Sequence, residues 1–200
     1  MNVEGTKIMK RILVGGLFVL IAWPVLAGDL HGRVVCEGQT DNANAVVYVT
    51  KVPGKTFPPP KEHAAIGQSN RVFEPHVLAV LAGTTVDFSN SDPYLHNVFS
   101  PEACADKFNL GTFGKGEKKS HTFRKECFTP LLCIVHPEME AFIAVLPTPY
   151  FAVTKPDGSY AIGDVPDASY SLKVWHPKLK GNEKTVAVHG ATEANFQIAH

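Results

Sequence analysis

From residue 28 onward, apolar and β-branched residues come in short alternating runs broken by Gly, Pro, Asp and Asn. Alternation with a period of two puts successive side chains on opposite faces of a strand. Thr84, Val86 and Phe88 alternate after a turn at Ala82-Gly83, and Ser91-Asp92-Pro93 ends that strand. His96, Val98 and Ser100 share one face of the next. Residues 120–123, 128–133 and 141–146 read as three more strands. Nearer the ends, residues 31–35 and 45–49 flank a polar turn at 39–44. Residues 151–154 and 160–162 flank Pro156-Asp157-Gly158, and Asp-Gly between two such runs favours a hairpin. After a turn at 165–167, Tyr170, Leu172 and Val174 alternate, and Ala194, Phe196 and Ile198 close the chain. No long segment has a helical period, and a single helical turn fits only around 101–106. The expected fold class is all-β.

Two segments break this pattern. Lys10 and Arg11 precede an apolar run from Ile12 to Leu26, and Val25-Leu26-Ala27 ends it with small residues. A charged start, an apolar middle and a small-residue exit describe a secretory signal peptide over 1–27. The run is short and interrupted by Pro24, which argues against a membrane span. The expected location is therefore the periplasm, with no stable membrane insertion after cleavage. The second segment, residues 53–60, carries Pro53, Pro58, Pro59 and Pro60 and reads as a semi-rigid linker.

The 19 basic and 19 acidic residues cancel, so nothing points to a nucleic-acid partner and net charge steers weakly. The chemistry lies elsewhere. Cys133-Ile134-Val135-His136-Pro137-Glu138-Met139 brings a thiol, an imidazole and a thioether together near the end of a strand, and His96 lies upstream. One thiolate, two imidazoles and one thioether are the donor set of a blue-copper electron-transfer centre. Zinc would use the cysteine and histidines but has little use for the thioether. Strand ends meet at one pole of a sandwich, where Cys133, His136 and Met139 would share a short loop and His96 would come from a neighbouring strand. His31, His63, His76, His121, His176, His189 and His200 lack ligand spacing. No nucleophilic triad, paired carboxylates or phosphate-cradling glycine loop stands out, and an enzyme is not expected.

On these residues the chain resembles the cupredoxins, the plastocyanin- and amicyanin-like blue-copper proteins. The loop Cys-x2-His-x2-Met with Pro137 after the histidine, Asn97 directly after His96, and Phe73-Glu74-Pro75-His76-Val77 leading to Phe88-Ser89-Asn90 carry the resemblance. It covers residues 61–148. It implies a Greek-key β-sandwich and one type 1 copper ion held by His96, Cys133, His136 and a weak axial Met139. Asn97 would support the ligands from behind. Ile134 and Val135 depart from the pattern, because small cupredoxins often place a hydroxyl after the ligand cysteine and many have proline next. Asn97 must then find a backbone partner.

Four cysteines in an exported chain can pair, but a copper-binding Cys133 leaves three. Counting from the copper pole, Cys104 and Cys127 each lie ~20–26 Å down a strand at ~3.3 Å per residue, so they can meet at the opposite pole. A free Cys104 in a mobile loop is the alternative. A Cys127–Cys133 bond is too long on one extended strand. Cys36 reads as a lone thiol.

Asp157-Gly158-Ser159-Tyr160-Ala161-Ile162 followed by Val165-Pro166-Asp167-Ala168-Ser169-Tyr170-Ser171-Leu172 resembles the second half of a transthyretin-like, carboxypeptidase-regulatory-type sandwich. Leu30 to Val34 and Asn44 to Val49 resemble its first half. The resemblance implies a small module formed by residues 28–52 and 149–200, with the cupredoxin inserted; a simple tandem is the rival layout. The functional expectation is a periplasmic one-electron carrier that docks a redox protein of unknown identity through Pro93, Tyr94, Val135 and Pro137, with Glu138 at the rim. A copper-handling or assembly protein with the same ligands is the second reading. A non-metal interaction protein built of two sandwiches is the third.

Overall fold

The computed structural model describes residues 27–200. The expected export signal lies outside the described residues, except that Ala27 opens the first strand. The chain forms β1 (Ala27–Cys36), β2 (Val46–Val49), β3 (Ala64–Ser69), β4 (Val72–Glu74), β5 (Val77–Leu81), β6 (Thr84–Asn90), β7 (His96–Phe99), β8 (Asn109–Phe113), β9 (Lys118–Phe123), β10 (Cys127–Leu132), β11 (Glu140–Leu146) and β12 (Phe151–Val153). There follow β13 (Ser159–Pro166), β14 (Ala168–Trp175), β15 (Asn182–Val188), β16 (Ala191–Glu193) and β17 (Phe196–Ile198). A 3₁₀ turn at Ala103–Ala105 sits where one helical turn was expected, and no α-helix occurs among the described residues. None of their helices is long and apolar enough to cross a membrane.

The strands build four sheets. In the first, β1 pairs with β13 and β16, and further along with β17. The second runs β12-β2-β14-β15, the third β5-β11-β10-β7-β8, and the fourth β4-β3-β6-β9. No strand from β3 to β11 pairs with β1 or β2. Where β1 changes partner from β16 to β17, Gly32 lies so close to the chain that a Cβ would overlap the Ala194 carbonyl oxygen. Only glycine allows that approach.

Three apolar layers separate the four sheets. Leu30, Val34, Val47, Leu172 and Phe196 fill the first, between sheets one and two. Ile66, Phe88, Phe113, Leu131 and Ile143 fill the third, between sheets three and four. Val46, Val77, Ala144 and Leu146, with Tyr48, Phe128, Phe142 and Trp175, form the middle layer between sheets two and three. Alternation explains the stacking. On β11, Ala141, Ile143 and Val145 face the third layer while Phe142, Ala144 and Leu146 face the middle one. On β2, Val47 and Val49 face the first layer while Val46 and Tyr48 face the middle one. Strands buried on both faces read as continuous apolar runs, as Ala-Phe-Ile-Ala-Val-Leu does here. Each fully buried Val or Leu contributes about 1.5–3 kcal/mol.

The segments that connect the two pairs of sheets lie side by side. The Thr148 hydroxyl donates to the Val49 carbonyl at 2.7 Å, and the Val49 N–H donates to the Tyr150 carbonyl at 2.9 Å. Phe57 from the Pro-rich segment meets the Tyr150 ring edge-on at 5.7 Å.

Candidate metal centre

In the third sheet β7 and β10 run antiparallel and meet at the pair Leu132 and Phe99, the last residue of each, so the residues after Leu132 run back alongside the start of β7. That register puts His96 and Asn97, the first residues of β7, beside Cys133, the first residue past β10. The loop to β11 turns back on itself, with the Met139 N–H donating to the His136 carbonyl at 3.0 Å. His96 Nδ1 and His136 Nδ1 stand 3.1 Å apart. The donor atoms of His96, Cys133 and His136 all lie within 4.8 Å of one another. Met139 is 1% exposed and belongs to the apolar layer that also contains Cys133 and Ile143. His96 is fully buried and His136 half-buried.

These residues fit a soft or borderline transition metal. Two imidazole nitrogens each about 2.0 Å from one ion stand about 3.3 Å apart at a tetrahedral angle, close to the separation seen. Cys133 is unpaired and buried. Its sulfur accepts the Asn97 backbone N–H at 3.4 Å. The structure pairs Cys104 with Cys127, Cα atoms 5.8 Å apart, away from the cluster. Cys36 is also unpaired, and burial pushes its thiol up.

Two groups hold the histidine strand and the cysteine loop in place. The Asn97 side chain accepts the Ile134 N–H at 3.4 Å and donates to Asn109 Oδ1 at 2.8 Å. This is the backbone partner that the missing hydroxyl at position 134 requires. Asp92 was read from sequence only as part of a strand-ending turn. Its Oδ2 accepts the His96 Nε2 proton at 2.8 Å, and it is 5% exposed. Asp92 Oδ1 takes the Asn70 N–H at 2.7 Å and Oδ2 also takes the Arg71 N–H at 2.9 Å. The Arg71 amide, against the opposing effect of burial and with help from His96 and the Asn70 amide, lowers its carboxyl to about 2. The one sequence signal for this role was a carboxylate four residues before the histidine.

Around the half-buried His136 the surface is apolar. Tyr94 is 49% exposed and Val135 43%, and Pro93 and Pro137 are exposed as well. Leu95 at 56% and Ile134 at 61% extend the patch beyond the residues chosen from sequence. The Tyr94 ring lies 6.4 Å from the His136 ring, and the Arg71 guanidinium lies over the Tyr94 ring, 5.1 Å from its centre. Glu138 is exposed in the same loop. The remaining histidines do not gather: among the described residues, His96, Cys133 and His136 form the only such cluster. His176 is buried beside His76 where sheets two and three meet, its Nδ1 accepting the Lys178 N–H at 3.1 Å.

No family model matches the chain, and no curated protein matches it. Solved structures do. A reduced amicyanin variant is 22% identical, over 43% of this chain and 84% of its own, with a TM-score of 0.40. The purple cupredoxin from Nitrosopumilus maritimus is 25% identical, over 41% of this chain and 98% of its own, with a TM-score of 0.37. A copper-containing nitrite reductase from Thermus scotoductus is 26% identical over 50% of this chain, a match that spans 25% of the reductase, with a TM-score of 0.40.

Proposed function

We propose that this protein is a copper-binding electron carrier of the periplasm, with one type 1 copper ion held by His96, Cys133, His136 and Met139. One observation carries the reading: a buried, unpaired thiol and two imidazoles from separate elements converge within 4.8 Å of each other. Copper bound there would cycle between its cuprous and cupric forms, taking up and releasing one electron. Thiolate and thioether sulfur suit the first form and imidazole tolerates both. The protein's part is rigidity. Asp92 and Asn97 fix the histidine strand and the cysteine loop, so the donors need not rearrange when the charge changes. His136, the donor nearest solvent, would offer the shortest way out for an electron from bound copper, beneath an apolar patch of Tyr94, Leu95, Ile134 and Val135 that would face a redox protein. No substrate turnover is proposed.

The same reading includes a nested layout. Residues 61–148 would form the copper-binding unit, inserted through the linker at 53–60 into a transthyretin-like module made of residues 28–52 and 149–200. The adjacency of the two connecting segments supports it, because insertion is tolerated where the crossing points are close. The second sandwich, which a simple shuttle does not need, favours copper handling as the competing role. Loading with Cu(II), followed by cycles of mild reductant and oxidant, separates the two. A carrier turns intensely blue, bleaches and recovers. A handling protein binds Cu(I) alone and shows no thiolate colour.

A further inference from the structure

We infer that Asp92 is the positioning residue of the metal centre: its carboxylate, braced by the Asn70 and Arg71 amides, holds the His96 ring with Nδ1 turned toward Cys133 and His136. The inference rests on the copper reading for its consequence, but not for its geometry. A carboxylate only accepts hydrogen bonds, and a neutral imidazole has one N–H. The 2.8 Å contact from Nε2 to Asp92 therefore leaves the lone pair on Nδ1, the nitrogen 3.1 Å from His136 Nδ1. The opposite tautomer would put a proton between the two histidines and turn a lone pair against the carboxylate.

Asp92 cannot swing away. Its own N–H is held by Asn90 Oδ1 at 2.8 Å, and its two oxygens receive three donors. Two of those donors come from the tight turn between β3 and β4, in the other sheet of the sandwich. Asn70 and Arg71 there have φ of 54° and 58°. Consecutive left-handed residues form the kind of hairpin turn that usually calls for Asn-Gly. An arginine in the second position is costly, and the bond from its amide to Asp92 offsets that cost. The same Arg71 lies over the Tyr94 ring, which abuts His136. One turn, remote in sequence from every metal donor, thus touches the surroundings of both histidines.

A carboxylate bonded to a ligand histidine makes the ring a stronger donor and adds negative charge beside the ion. Both effects favour the more highly charged cupric form. Asp92→Asn keeps the shape but offers one acceptor oxygen and turns an NH₂ toward a donor. The expected results are copper binding weakened by about 10–100-fold, a reduction potential shifted upward, and a blue band still present. A second readout needs no copper. In nitrogen-15 spectra of the metal-free wild-type protein, His96 should be the Nε2–H tautomer with a slowly exchanging ring proton, and Asp92→Asn should lose that protection. Arg71→Gly, which accepts the positive φ and keeps the amide, should leave the tautomer unchanged. A wild-type His96 protonated on Nδ1 overturns the inference even if Asp92→Asn does not fold. A copper-loaded Asp92→Asn with unchanged affinity and potential also overturns it. A wild-type protein that takes no copper but shows the Nε2–H tautomer defeats the copper reading and leaves the role of Asp92 standing.

Discussion

Asn97 donates its backbone N–H to the Cys133 sulfur at 3.4 Å, while its side chain accepts the N–H of Ile134 at 3.4 Å. One residue, directly after a histidine donor, therefore grips the cysteine loop at two successive positions. Its amide also donates to Asn109 on β8, so the loop is tied across β7 to the strand beyond. Asn97→Ala removes the side-chain bonds and leaves Asn109 and the Ile134 N–H without that partner. The expected cost is about 1–3 kcal/mol, read as a lower melting temperature. Copper should also be lost faster to a chelator, because the cysteine loop has lost its tie.

The disulfide lies at the other end of the sandwich and closes a sequence separation of 23 residues. It pins the 3₁₀ turn to β10 without touching the metal donors. Replacing both Cys104 and Cys127 by Ser should cost about 2–4 kcal/mol in denaturant unfolding and leave the visible spectrum of the copper-loaded protein unchanged. A changed spectrum would mean that the two poles are coupled.

Leu146 is 1% exposed and faces the layer between sheets two and three. Its strand also lines the core between sheets three and four, so one strand is packed into both layers and the two should unfold together. Scanning calorimetry of the wild-type protein should give one cooperative transition. Leu146→Ala should lower it by about 2–5 kcal/mol. Two separate transitions in the wild-type protein would contradict the shared layer.

Acid should weaken the fold through two histidines, one half-buried and one buried. Burial pushes His121 down, aided by Arg124 and opposed by Asp106 and an Ala105 backbone bond. Burial also pushes His176 down, aided by Lys178 and His76 and opposed by Asp41 and an Ala43 backbone bond. His121 stacks on Phe108 at 4.0 Å, with Nε2 buried and lacking a hydrogen-bond partner. A depressed folded value means that the unfolded chain takes up protons first. Stability is then full above about pH 6.5 and declines as pH falls through that value toward the folded one. The melting temperature of the metal-free protein should fall as pH drops below about 6.5, and His121→Phe should flatten part of that slope.

The sequence showed its strands most clearly where branched or aromatic residues alternate against a single core, as in β6 and β14. β3 and β15 were less visible. Ala64–Ser69 holds only one branched apolar residue, and Asn182–Val188 is an edge strand with a largely polar, exposed half. The donors of the metal cluster could be read from side-chain chemistry alone, because cysteine, histidine and methionine announce themselves at short spacing. Asp92 could not. Its partners, Asn70, Arg71 and His96, meet only through the register of β3 against β6 and the tight turn that follows. Leu95 and Ile134 joined the exposed patch for a similar reason: whether a loop side chain points outward depends on its neighbours, not on its type.

The most direct measurement of the central claim is the visible and electron-spin resonance spectrum of the Cu(II)-loaded protein beside its Cys133→Ser variant. The wild-type protein should show an intense thiolate-to-copper band near red light and a narrow copper hyperfine splitting, and the variant should lose both. A wild-type protein without the band, or a variant that keeps it, would contradict the copper centre proposed for these four side chains.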